Sequence, residues 1–200
     1  MMLPTHAVVG LALATPVVYA SPELAPVALA GGLVGGIFPD LDLYAGHRRT
    51  LHYPTIFALL ALPALVVAAI VPHPAAIALA FFLLGAAVHR QMDRFGGGLE
   101  LRPWEGTSDR AVYDHVRGRW RRPKRWVKYD GSPADLALLA AVSLPLLLVL
   151  EGFFRLVVAS ALLIGTIYVL LRRRLATLAP VVFGFVPDRL EAYIPERYRS

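Results

Sequence analysis

Residues 24–42 read LAPVALAGGLVGGIFPDLD, and this stretch decides how the chain is organised. From Leu24 to Phe38 there is no charge. Pro39-Asp40-Leu41-Asp42 then sets two carboxylates directly after the apolar run. Gly31 with Gly35, and Gly32 with Gly36, form overlapping small-xxx-small pairs, which let a second membrane helix approach closely. The stretch reads as a membrane span with chemistry at its end.

The rest of the chain has the same character. Of its 200 residues, 57% are hydrophobic and 17% charged, and the mean hydropathy is +0.58. A soluble globular domain runs nearer half apolar and a quarter charged. Crossing a hydrocarbon core of about 30 Å takes about 20 apolar residues as a helix, with about 17 as the lower limit. Six runs qualify or nearly do: Pro4–Ala20, Leu24–Phe38, Tyr53–Pro72, Pro74–Val88 (its helix continuing to about residue 92), Pro133–Leu150 and Phe153–Leu171. Pro16, Pro63 and Pro145 lie inside runs, where they kink a membrane helix rather than end it. Val18-Tyr19-Ala20-Ser21 resembles a signal cleavage site, but Met1–Pro39 contains no Lys or Arg, so the first run reads as a retained span. The expected class is all-α, a polytopic helical membrane protein of about six transmembrane helices forming one membrane domain over residues 1–200.

Charge gives the topology a side. The net charge is +6, from 20 basic and 14 acidic residues. With six spans, nineteen of the twenty basic residues fall on one side, and Arg155 alone sits near the other. The positive-inside rule then places both termini in the cytoplasm of a multi-pass protein of the cell (inner) membrane. Residues 94–132 form a basic loop with all three tryptophans, Trp104, Trp120 and Trp126. Trp with Arg predicts an amphipathic interfacial segment against anionic headgroups, with a short helix from Thr107 or Ser108 to about Trp120. Beside six spans, lipid is favoured over nucleic acid as its partner. Gly96-Gly97-Gly98 reads as a flexible hinge, and residues 172–200 as a basic cytoplasmic tail.

Cysteine is absent, which excludes disulfides, iron–sulfur clusters and thiolate chemistry. A metal would have to be held by His, Asp and Glu. Seven such residues fall at cytoplasmic helix ends: His6, Asp40, Asp42, His47, His52, His89 and Asp93. His89 and Asp93 are i and i+4, so they share a helix face. Imidazole and carboxylate suit zinc, manganese or iron(II), and seven candidates allow one or two ions. Arg48 and Arg49 stand ready to grip an anionic oxygen such as phosphate. His115 and Asp114 join the group if the interfacial helix folds over it. His73, on the opposite side, has no assigned role.

Thr5-His6, Pro39-Asp40-Leu41-Asp42, His47-Arg48-Arg49-Thr50-Leu51-His52 and His89-x-x-x-Asp93 resemble, in order and spacing over residues 1 to about 100, the LexA-regulated, membrane-bound metal-dependent hydrolases. More distantly, the pattern is similar to zinc-dependent phospholipase C and the P1-type nucleases. The resemblance implies a helical membrane enzyme with His6, Asp40, Asp42, His52, His89 and Asp93 as metal ligands, His47 and His115 being further candidates. It implies a metal-activated water, with Asp42 or Asp93 as general base and Arg48 or Arg49 stabilising phosphoryl charge. The expected activity is hydrolysis of an amphiphilic phosphoester such as a phospholipid, with zinc as the expected metal. The alternatives are a non-catalytic metal- or lipid-binding membrane protein, or a transporter. A transporter wants ionisable residues at mid-membrane, and these spans are almost free of charge between their ends.

Overall fold

The computed structural model describes residues 1–194 and 198 and is mostly helical. The helices are α1 (Leu3–Ala14), α2 (Pro16–Ala20), α3 (Ala25–Ile37), α4 (Pro54–Ile70), α5 (Pro74–Phe95), α6 (Pro133–Val149) and α7 (Gly152–Phe183). A 3-10 turn, Phe38–Tyr44, continues α3. Six of these seven α-helices open on a proline in their first turn, where its fixed φ suits the helix and its missing N–H costs nothing.

Among the described residues, four helical stretches are long and apolar enough to cross a membrane: Leu3–Ala20, Ala25–Leu43, Pro74–Phe95 and Gly152–Phe183. Pro54–Ile70 and Pro133–Val149 are apolar but shorter, at 17 residues each. Pro63 and Pro145 sit inside these two helices, whereas Pro16 starts a new one after a break at Thr15.

The two glycine pairs of α3 each meet a different neighbour. A methyl group at Gly32 or Gly36 would strike the backbone of Gly10 or His6 in α1. One at Gly31 or Gly35 would strike the carbonyls of Ala78 or Phe82 in α5. Helix α3 is thus sandwiched between α1 and α5 at backbone distance, a spacing that leucine or even alanine would forbid. Around this sandwich, Val8 and Leu11 of α1 pack with Leu139 of α6 and Val158 of α7. Phe57 and Ala61 of α4 pack with Leu83 and Ala86 of α5.

Three expectations are corrected. The helix expected from Thr107 or Ser108 to Trp120 is instead a hairpin, β1 (Val112–Asp114) against β2 (Arg119–Arg121), antiparallel with Tyr113 opposite Trp120. Gly118, with φ of 61°, lies in its turn and would break a helix there. Gly96-Gly97-Gly98 is a buried strut, not a hinge: Phe95 and Gly96 carbonyls accept from Val127 and Arg125 amides, so residues 124–127 are laced along it. The tail expected from residue 172 begins as helix, since α7 continues through Arg172-Arg173-Arg174 to Phe183 and stops before Gly184.

Candidate metal centre

Four helices bring their ends together. His6 lies one turn into α1, Asp40 and Asp42 follow α3, His52 precedes α4, and His89 and Asp93 close α5. His6, Asp42, His52, His89 and Asp93 are each no more than 1% exposed. Buried polar groups of this density must be paired, or they cost several kcal/mol each.

One atom from each of Asp40, His52, His89 and Asp93 lies within 4.8 Å of the others. Asp93 Oδ2 is 3.2 Å from His52 Nε2 and 3.3 Å from His89 Nε2. Asp40 Oδ1 is 3.5 Å from His89 Nε2 and 3.8 Å from His52 Nε2. Ligand bonds of about 2.0–2.2 Å in a tetrahedron put neighbouring donor atoms roughly 3.3–3.6 Å apart. The four imidazole–carboxylate spacings, 3.2 to 3.8 Å, lie close to that range.

The backing groups aim the imidazoles. His89 Nδ1 donates to the Gly36 carbonyl at 2.7 Å, which leaves the lone pair on Nε2. That Nε2 is buried and makes no hydrogen bond, although two carboxylate oxygens face it. His52 Nδ1 is held at 2.9 Å by Asp42 Oδ2, again turning Nε2 towards the other donors. A carbonyl or carboxylate behind a ligating histidine is the usual way its tautomer is fixed. Burial would lower the His52 pKa, but Asp42 and then Asp93 outweigh it and hold it above its ordinary 6.5.

Several sequence-predicted residues take other roles. Asp42 is not among the four donors: its oxygens accept from the Arg48 and Leu51 amides and face His52 Nδ1 and His47 Nδ1, so it stands behind the imidazoles. His6 reaches the group only through Asp93 Oδ1, at 3.1 Å, and stacks on His89 with ring centroids 3.7 Å apart. His47 lies at the rim, 4.0 Å from Asp40 and 3.1 Å from Asp42. Arg49 lies over the Tyr113 ring and is exposed. His115 packs against Tyr53 and Tyr113, and Asp114 pairs with Arg121 at 2.9 Å, so neither joins the centre. His73 caps the start of α5, accepting from the Ala75 amide.

Arg48 is tethered through both its backbone and the end of its guanidinium. Its backbone has φ of 60°, a conformation costing about 1–3 kcal/mol in a non-glycine residue unless its surroundings enforce it. Here the amide donates to Asp42 and the carbonyl accepts from Tyr113 of the hairpin. The guanidinium donates to Gly97 O at 2.9 Å and lies 3.3 Å from Asp93 Oδ1. The Met1 ammonium is also 2.9 Å from that oxygen.

Two residues escape a reading by motif. Asp135, fully buried, accepts from the Met2 and Gly131 amides and from Thr5 Oγ1, pinning α6 to the start of α1 beside His6. It is the one charge inside the run Pro133–Leu150, and that isolation was its available signal. The Gly36 carbonyl has no sequence signal at all. Comparison of the chain with models of protein families, with curated proteins and with solved structures found no match.

Proposed function

We propose that this chain is a membrane-embedded, metal-dependent phosphoester hydrolase working at the cytoplasmic face of the cell membrane. In this reading one divalent ion, zinc by preference, is held by Asp40, His52, His89 and Asp93. The observation that carries it is the convergence of two imidazole nitrogens and two carboxylate oxygens within 4.8 Å of one another, with the buried His89 Nε2 making no hydrogen bond and facing both carboxylates. The resemblance of the His and Asp pattern to membrane-bound metal-dependent hydrolases supports the same reading. When bound, the ion supplies Lewis acidity, which polarises a phosphoryl oxygen and makes water ionisable near neutral pH.

The protein's own groups do the rest. Asp42 and Gly36 orient the two imidazoles. Arg48, fixed between Gly97 and Asp93, offers positive charge for phosphoryl oxygens that become more negative in the transition state. His47, oriented by Asp42 at the rim, takes the proton of the attacking water. Asp42 is already fully engaged and does not serve as the base. The basic 94–132 segment keeps the site at headgroup depth through anionic lipid.

The test is metal content and phosphodiesterase activity of the full chain purified in detergent. Zinc-loaded protein is expected to retain about one ion per chain and to release p-nitrophenolate from a p-nitrophenyl phosphodiester. His89→Ala should lose both metal and activity. His47→Gln should keep the metal while kcat falls roughly 10²–10⁴-fold. Turnover that survives both chelation and His89→Ala would overturn the reading.

A further inference from the structure

The donor group is sealed on most sides. His52, His89 and Asp93 side chains are at most 1% exposed, and Asp40 at 16% is the one donor with an open edge. Asp40, His47 and Arg48 line a cavity of about 710 Å³. Away from that polar end its wall is apolar, built from Ala7 of α1, Ile37 of α3, and Phe153, Leu156 and Ile164 of α7.

Shape narrows the occupant. Along α7 the lining runs from Phe153 to Tyr168, which is roughly 22 Å at 1.5 Å per residue. That exceeds the hydrocarbon depth of one leaflet, about 15 Å of a core of about 30 Å. A volume of about 710 Å³, apolar along α7 and ending on Asp40, His47 and Arg48, suits one extended alkyl chain carrying a charged head. Phe153, Leu156 and Ile164 are also largely exposed on the apolar outside of the bundle, so the groove opens sideways.

We propose that this groove between α1 and α7 holds the single long alkyl chain of a lipid phosphoester. The chain enters laterally and places its phosphate against Asp40, His47 and Arg48. The proposal deepens the hydrolase reading and rests on it for the chemistry. In that chemistry water adds across the phosphoester: a P–O bond forms to the water oxygen, the P–O bond to the leaving alcohol breaks, and the alcohol departs with a proton. Chain recognition itself requires no turnover.

Two measurements on zinc-loaded full-length protein in detergent test it. Native mass spectrometry is expected to find hexadecyl phosphate retained at least 30-fold more tightly than methyl phosphate or inorganic phosphate. Ser160→Trp and Ile164→Trp, at exposed positions on the α7 wall, should abolish that preference without changing metal content. Hydrolysis of hexadecyl p-nitrophenyl phosphate should exceed that of the methyl ester by at least 30-fold in kcat/KM. Both variants should bring the two esters level by lowering only the long-chain rate. Equal retention of short- and long-chain phosphates, or a preference untouched by both variants, would overturn the groove. Chain-selective binding without hydrolysis of either ester would leave the groove standing and remove the hydrolase reading. Retention of a second protein copy in place of the lipid would also overturn the groove.

Discussion

Helices α3 and α7 are both apolar, yet they are put to opposite uses. The α3 span has 44% of its residues buried and meets α1 and α5 through glycine at backbone distance. The α7 span is the more hydrophobic and has only 17% buried, with Leu156, Leu163 and Leu170 facing outward. Hydrophobicity alone therefore does not decide which of these helices pack closely. Small residues do, and the polar cluster sits where they draw the helices closest.

The sharpest way to break this contrast is to change one residue in each helix. Gly36→Ala would push a methyl group into α1, and overpacking of this kind costs about 1–3 kcal/mol. It should also rotate His89 and lower zinc retention. Leu170→Ala, at a position 74% exposed, should change stability by no more than about 0.5 kcal/mol. Thermal unfolding of both variants in one detergent, followed by metal analysis, makes the comparison. Equal shifts would show that glycine contact is not what orders the site.

A milder perturbation separates holding the metal from aiming its ligands. Asp42→Asn leaves the four donors in place but weakens the grip on His52 Nδ1. Zinc affinity should fall roughly 10–100-fold, measured by competition with a chromophoric chelator. Unchanged affinity would mean that His52 is oriented by packing alone.

The smallest effect is expected outside the helices, at the hairpin. Burial raises the Asp114 pKa, but the Arg121 hydrogen bond outweighs it, and the carboxyl stays below its ordinary 3.8. A group depressed in this way stabilises the fold above its unfolded pKa and loses that contribution as pH falls through the folded value. The protection factors of the hairpin amides, exchange rates corrected for the intrinsic pH dependence, should therefore fall as the pH drops below about 5. Asp114→Asn should raise exchange roughly tenfold at neutral pH, consistent with loss of a charge-assisted hydrogen bond, and remove that pH dependence.

Much of the α3 side was legible in the sequence. The glycine pairs announce two close partners by their spacing, and His89 with Asp93 announce a shared helix face. That Asp40 joins the donors while Asp42 stands behind them was not legible, because the 3-10 turn after Phe38 sets which carboxylate points where. The hairpin is not legible in the sequence, because Ala111, Val112, His115, Val116 and Trp120 recur at helical intervals. The true partners of that segment are distant: the Tyr113 amide bonds to Arg48 O, and residues 124–127 pair along 94–96. Local periodicity carries no information about such contacts. The end of α7 is hidden for another reason. Arg172-Arg173-Arg174 ends the apolar run, but three arginines do not end a helix, and Arg172 reaches sideways to Asp130.

The carbonyl of Gly36 accepts from His89 at the same residue whose missing side chain admits α1. Spacing and tautomer are therefore one variable. A drift of α1 and α3 apart by a fraction of an ångström would be read at the site as a turned imidazole ring. His89 sits inside α5 with no loop between it and the crossing to absorb such an error, so the tolerance of its aim is the tolerance of a helix crossing.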